Sequence, residues 1–437
     1  MFNLINSAEP SLLSYVSLVF FIALSAIASL NRRLYWPIFP FVVLTVPNTV
    51  NKLFPLQLMS DSYLLHEIPS FSIFTHIDIY LILGILLFAR GRALVFFVVI
   101  LISFFLFVFL MYFYGFWDFR SFFGTFQLRY FLFIYFIVLS SGAFFDFDLF
   151  VRFFIAAIVI LVIESFVFSY VNGSSFLQSG NLGKNPMGHF FGALFVSFLT
   201  ISLKKKSFLF FVFSFFCLCV LILNTTKSPL FFAVLSFFIM IFGVFFKERY
   251  LIRIGLVSVV FVIYSFVFFV FFNNLFFHVG NWFDWNYYEF VLGRESISST
   301  LLSRLVIWFF TLNELVDVFI FGAGPGAWAF NLSAVLPDRY FDILDTHNDF
   351  LLFLYSYGLI FGAFFYYFII IRPLFIVLGR REGVGYQNVF FSSFILMSFF
   401  SGLMNSILWK HQFLVVVVFF SVCILLRVKG EKGSKAN

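Results

Sequence analysis

The chain has 437 residues, of which 63% are hydrophobic and only 11% charged, with a formal net charge of +7 and a mean hydropathy of +1.07. Soluble domains carry about 25% charged residues, so this composition excludes an ordinary soluble globule. The three cysteines, Cys217, Cys219 and Cys423, all lie inside apolar runs, which excludes a disulfide framework and a cysteine metal site.

A bilayer core takes about 20 mainly apolar residues per helix. The first such run, 11–30, lacks a basic leading segment and a small-residue cleavage site, so it reads as a retained span and not as a signal peptide. Apolar runs follow at 34–50, 77–89, 93–114, 126–144, 149–171, 187–203, 207–223, 229–246 and 250–272. A long polar stretch, 273–349, then interrupts the pattern before the runs 350–371, 388–408 and 411–428. Phe contributes 81 residues and serves as generic apolar filler. The reading is an all-α integral membrane protein with about 12–13 transmembrane helices. It forms a single polytopic domain over 1–437, with 273–349 as a large outer loop containing short helices and the active site. No internal repeat of about 20–50 residues is visible.

Lysine and arginine concentrate in short cytoplasmic loops. When the spans alternate, Arg32, Arg33, Arg90, Arg92, Arg152, Lys204 to Lys206, Lys247, Arg249, Arg253, Arg372, Arg380, Arg381 and the Lys-rich tail fall on one side, the cytoplasm. The positive balance is therefore mainly a topology signal, and no nucleic-acid partner is needed. Arg120, Arg129, Lys184, Lys227, Arg294, Arg304, Arg339 and Lys410 fall at the other face. Intramembrane charges cost about 2.5–3.5 kcal/mol on insertion scales and tend to be functional, so cations on that side point to an anionic ligand there.

The polar stretch ends in Thr346-His347-Asn348-Asp349 and runs straight into an apolar helix. Thr followed three residues later by Asp is a capping-box pattern, which predicts His347 and Asn348 in the first helical turn. Anions bind at such a terminus, and the same field favours a neutral imidazole able to act as a base. A lone histidine at a helix start is more often structural than catalytic, so its neighbours must decide. Asp146-Phe147-Asp148 has the Asp-x-Asp spacing of metal-dependent glycosyltransferases but lies on the cytoplasmic side and reads as a short loop. Gly322-Ala323-Gly324-Pro325-Gly326 lacks the Lys-Ser/Thr ending of a phosphate-binding loop; it reads as a tight turn bringing the Arg304 helix near His347. His66, His76, His189, His278 and His411 have no partners at ligand spacing and read as structural. Glu164, inside an apolar run, has no evident role in the sequence.

His347-Asn348, followed by Gly358-Leu359-Ile360-Phe361-Gly362, resembles the signature of the O-antigen ligase and O-antigen polymerase family. There a His-Asn pair opens a helix that continues to Gly-Leu-Ile-Gly; here Phe361 stands where the second small residue is expected. Ser303-Arg304 followed by Trp308 is similar to the family's small-residue–Arg helix, and Gly322 to Gly326 to its Gly-x-Gly-Pro-Gly loop. Thr226-Lys227-Ser228-Pro229 sits where the family commonly has Ser-Arg and a small residue, with Lys227 in place of Arg. Asn185-Pro186 at a span entry is also similar. The resemblance covers about residues 180–372.

It implies glycan transfer at the periplasmic face of the bacterial inner membrane, from an undecaprenyl-pyrophosphate-linked oligosaccharide to an acceptor glycan. His347 and Arg304 would be catalytic, with Lys227, Arg294, Arg339 and Asn348 binding substrate. Guanidinium groups bind phosphate oxygens bidentately, and pre-aimed cations stabilise a departing pyrophosphate. Neither a cofactor nor a metal is required. Membrane lipids are partners, and a chain-length regulator is a candidate one. A polymerase, joining lipid-linked repeat units, is the first reading. A ligase, delivering the glycan to lipid A-core, and a transporter of lipid-linked sugars are the alternatives.

Overall fold

The computed structural model describes residues 12–47, 57–58, 71–72, 75–117, 126–141, 145–180, 182–245, 300–325, 327, 347–378, 384–408 and 410–426. Among these the architecture is all-α apart from a two-stranded antiparallel ribbon, β1 (Gln57–Leu58) and β2 (Phe71–Ser72), with Gln57 opposite Ser72. In chain order the helices are α1 (Leu12–Leu30), α2 (Tyr35–Leu44), α3 (His76–Phe88), α4 (Arg92–Phe113), α5 (Phe126–Ser141) and α6 (Phe147–Val171). There follow α7 (Lys184–Lys205), α8 (Phe208–Asn224), α9 (Lys227–Phe245) and α10 (Thr300–Val318). The 30-residue α11 (Asp349–Leu378) contains two π-helical turns, Leu359–Ala363 and Tyr367–Ile371. The last two helices are α12 (Tyr386–Gly402) and α13 (His411–Leu425).

Among the described residues four helices, α4, α6, α7 and α11, are long and apolar enough to cross a bilayer, and shorter apolar helices accompany them. The protein is a polytopic, all-α, multi-pass membrane protein. On α4 the apolar side chains Val95, Phe96, Val99, Ile102, Leu106 and Phe109 are exposed, as expected where lipid and not water is the solvent.

Two predicted runs are shorter as helices. The run 34–50 gives a helix only to Leu44, because Val46 precedes Pro47 and such a residue is pushed out of the α region. The run 388–408 ends as a helix at Gly402; residues 403–408 leave the helix to make the contacts described below. The run 250–272, most of the polar stretch, Thr346, Arg120, Arg294, Arg339, His66 and His278 lie outside the described residues.

Contacts divide the chain into two compact units, one comprising Met1–Phe191, Phe216–Thr226 and Trp409–Asn437, the other Gly192–Phe215 and Lys227–Leu408. In the first, α2 and α3 are clamped by a reciprocal pair of tyrosines. Tyr35 donates its hydroxyl to the Tyr80 carbonyl (3.0 Å) and Tyr80 to the Tyr35 carbonyl (2.7 Å). Gly84 permits this approach, since a Cβ there would lie 2.1 Å from the Tyr35 hydroxyl oxygen. Trp36 stacks on Phe419 of α13 at 4.6 Å and donates to Ser141 of α5 at 2.8 Å, so its indole N–H is satisfied in an apolar core. In the second unit, Thr200 and Ser393 share a hydrogen bond of 2.8 Å between the C-terminal part of α7 and α12.

Candidate functional site

The site lies in the second unit and is built around the loop 403–408 that follows α12. Asn348, not Thr346, caps α11: its Oδ1 accepts from the Leu351 N–H at 3.0 Å. Asn is the stronger N-cap residue, so the helix starts at Asp349 and the predicted Thr346–Asp349 capping box does not place the pair. His347 is therefore outside the helix, half-buried, with a left-handed backbone at φ 47°. Histidine is among the side chains that tolerate this region. The strain is compatible with a functional position.

The cap also fastens the helix start to the loop. The Asn348 Nδ2 donates to the Leu403 carbonyl at 3.0 Å, and the Asn348 N–H donates to Ser406 Oγ at 3.1 Å. Asp349, fully buried, accepts the Leu408 N–H on Oδ1 at 3.0 Å. Gly402 makes room for it, because a Cβ there would fall 2.5 Å from Asp349 Oδ2. Arg304, on α10, meets the same loop: a guanidinium N–H donates to Asn405 Oδ1 at 3.1 Å. Arginine only donates, so the Asn405 amide must turn its oxygen to it and its nitrogen away. That nitrogen, Nδ2, is buried and has no hydrogen-bond partner among the described residues.

The Gly-rich loop docks the end of α10 on α11. Ala323 and Gly324 donate to the carbonyls of Tyr355 (2.8 Å) and Ser356 (3.0 Å), and Leu359 donates to Phe319 at 2.7 Å. Gly322 (φ 75°) and Gly358 (φ 69°) meet backbone to backbone. A Cβ on Gly322 would lie 2.5 Å from the Gly358 nitrogen, and one on Gly358 would lie 2.2 Å from the Ile320 carbonyl oxygen. One position beyond Phe361, which departs from the expected small residue, Gly362 passes so close that a Cβ there would come within 2.2 Å of the Phe353 carbonyl oxygen. The loop thus fixes the end of α10 against α11 while Arg304, near its start, reaches the loop that holds Asn348 and Asp349.

Of the other predicted residues, Lys227 is the first residue of α9, with its side chain outside the described residues. Two of the cations that the sequence assigns to the outer face have local partners of their own. Arg129 is buried in an ion pair with Asp78 at 2.7 Å, and the Lys184 ammonium lies 3.6 Å from the centroid of the Phe176 ring. Asp146 proves to be the N-cap of α6, accepting from Leu149 at 3.1 Å. Glu164 gains a structural account: it accepts from Ser179 Oγ at 2.9 Å and the Gly180 N–H at 3.1 Å, folding the segment after α6 back over the helix end. No group of three or more His, Cys, Asp or Glu side chains that could hold a metal occurs among the described residues.

Sequence reasoning missed Asn405, Ser406 and Gly402 because they sit inside an apolar run. The available signal was Gly402-Leu403-Met404-Asn405-Ser406 itself, a helix-ending glycine followed by two polar residues. No protein-family model matches this chain, and no curated protein matches it at a significant level.

Proposed function

We propose that the protein is a surface-polysaccharide polymerase that transfers a glycan from undecaprenyl pyrophosphate onto an acceptor lipid-linked repeat unit at the periplasmic face of the inner membrane. The observation that carries this reading is the convergence of Arg304, Asn348 and Asp349 on one six-residue loop, 403–408, immediately after His347. His347, one residue before the cap, and Arg304 thus belong to elements that share one support, which supports a reading in which the first is a general base and the second a phosphate-binding guanidinium. In the proposed step, the acceptor hydroxyl oxygen bonds to the anomeric carbon as the bond from that carbon to the pyrophosphate oxygen breaks. The hydroxyl proton passes to the His347 imidazole, and the charge left on the pyrophosphate is met by Arg304 and Lys227. The family resemblance of 180–372 supports the same chemistry.

Purified protein given a defined lipid-linked repeat unit tests the reading. Longer lipid-linked glycans are the expected product. Transfer to lipid A-core alone would make the protein a ligase, and translocation without new glycosidic bonds would make it a transporter. Within the polymerase reading, Arg304→Ala is expected to raise the donor KM by about 10- to 100-fold, the value of one or two charge-assisted hydrogen bonds. Asn405→Ala is expected to follow it in the same direction with a smaller change, because Asn405 aims the guanidinium. Lys227→Arg is expected to stay active. An unchanged donor KM in Arg304→Ala would remove Arg304 from the site.

A further inference from the structure

α11 is not a straight rod. At Gly358, where φ is 69°, it turns back on itself: the Phe350 and Tyr366 rings lie 5.4 Å apart, and those of Phe353 and Phe365 lie 5.3 Å apart. In a straight helix the first pair would stand about 24 Å apart, at about 1.5 Å per residue. The first arm, Asp349–Gly358, has 10 residues and reaches about 15 Å, about half of a bilayer core. The other 20 of the 30 residues, 359–378, are enough for a crossing. Along this second arm Ile360, Phe364 and Tyr367 are exposed at helical spacing, the stripe that faces lipid. Leu359 and Ile360 therefore stand at one boundary of the hydrocarbon.

The end of α10 is fixed to that boundary by the Leu359 N–H, which donates to the Phe319 carbonyl. α10 buries one face in the protein, with Ile307, Phe310, Thr311 and Leu315 inside. In water its other face should be polar. Instead that face is divided. At about 100° per residue, Leu312, Val316 and Ile320 share one sector and are 49%, 75% and 55% exposed. Asn313 and Asp317, exposed as well, form a polar edge beside it. Phe319, also exposed, carries the apolar sector on to Leu359 and Ile360. The result is one continuous apolar strip from α10 into the lipid-facing stripe of α11, and such strips mark interaction surfaces.

We infer that α10 is an interfacial helix: its Leu312, Val316 and Ile320 sector lies among the acyl chains of the bilayer, while Asn313 and Asp317 stay at headgroup level. Helices of this kind lie in the plane of the interface with their apolar side about 5–10 Å deep. Continuity decides the occupant. The strip runs on into the bilayer along α11, so a soluble partner that covered it would have to straddle the membrane boundary. Arg304, about two turns before Leu312 on the same helix, is then carried at the depth of lipid phosphates. That this depth serves a lipid-pyrophosphate donor rests on the proposed glycan transfer; the lipid contact itself does not.

The test uses full-length protein in nanodiscs of phosphatidylethanolamine and phosphatidylglycerol, free of lipid-linked glycan. Cys217, Cys219 and Cys423 are replaced by alanine, and a spin label is placed in turn at Val316→Cys, Ile320→Cys, Asp317→Cys and, as the lipid reference, Phe364→Cys. All four positions are exposed, so the labels displace no buried side chain. Each label is relaxed by molecular oxygen, which concentrates in hydrocarbon, and by a nickel chelate confined to water. Labels at 316 and 320 are expected to match the one at 364, with strong relaxation by oxygen and weak relaxation by nickel, and the label at 317 to show the reverse. Nickel relaxation at 316 and 320 as strong as at 317 would put the sector in water and overturn the assignment. Weak relaxation by both reagents would mean that a protein surface, such as a second copy of the chain, covers it, and would overturn it equally. Entry into hydrocarbon only after a polyprenyl-linked donor is added would give the sector to the donor's tail instead of the bilayer. A protein whose sector lies in lipid yet transfers no glycan overturns the transfer reading alone.

Discussion

His347→Asn is expected to lower turnover by about 10²- to 10⁴-fold, the usual contribution of a positioned general acid or base, while leaving donor binding and folding nearly unchanged. Asparagine is the informative replacement because of the backbone. His347 sits at φ 47°, a region that Asn, like His, enters more readily than most L-residues, for which it costs about 1–2 kcal/mol. His347→Ala would mix loss of the base with that strain. His347→Asn keeps the conformation and a hydrogen-bonding side chain but cannot accept a proton near neutral pH. The measurement is initial rate and donor binding with lipid-linked repeat unit. Near-normal turnover would show that His347 only positions substrate, and the proposed step would lose its base.

The same residue shows where the sequence was a good guide and where it was not. The runs 93–114 and 149–171 became α4 (Arg92–Phe113) and α6 (Phe147–Val171) within two residues at each end, because the bilayer demands long apolar stretches whatever their neighbours are. The start of α11 was misplaced by two residues because Thr346 and Asn348 are both acceptable caps. The choice between them depends on the Leu403 carbonyl and Ser406 hydroxyl, which bind Asn348 from more than 50 residues away. The loop 403–408 was concealed by its own composition, since Leu403, Met404, Ile407 and Leu408 continue an apolar run. Arg129 was legible as an anomalous cation but not as a paired one. Its partner, Asp78, lies 51 residues away in the chain, and only the packing of α3 against α5 brings the two together. Glu164 was equally opaque for the opposite reason: its partners at Ser179 and Gly180 lie in a segment whose path the sequence does not announce.

Asp78 and Arg129 carry the largest expected effect on stability. Both side chains are almost completely buried, at 0% and 3% exposure, and removing one partner of such a pair leaves an uncompensated charge, a loss of about 3–5 kcal/mol. Asp78→Asn and Arg129→Leu are each expected to fall in that range, read as thermal or denaturant unfolding of the purified protein in one detergent. The pair as a whole is a different matter. Replacing a buried ion pair by apolar side chains is often neutral, so Asp78→Leu with Arg129→Leu should recover much of the loss. Recovery will be incomplete, because Asp78 also accepts the Thr75 N–H at 2.8 Å and completes the capping box of α3. That cap contributes about 0.5–2 kcal/mol. The double variant should therefore be folded and yet start α3 without its capping box. Single-variant losses below about 1 kcal/mol, the range of solvent-exposed pairs, would mean that water reaches the pair.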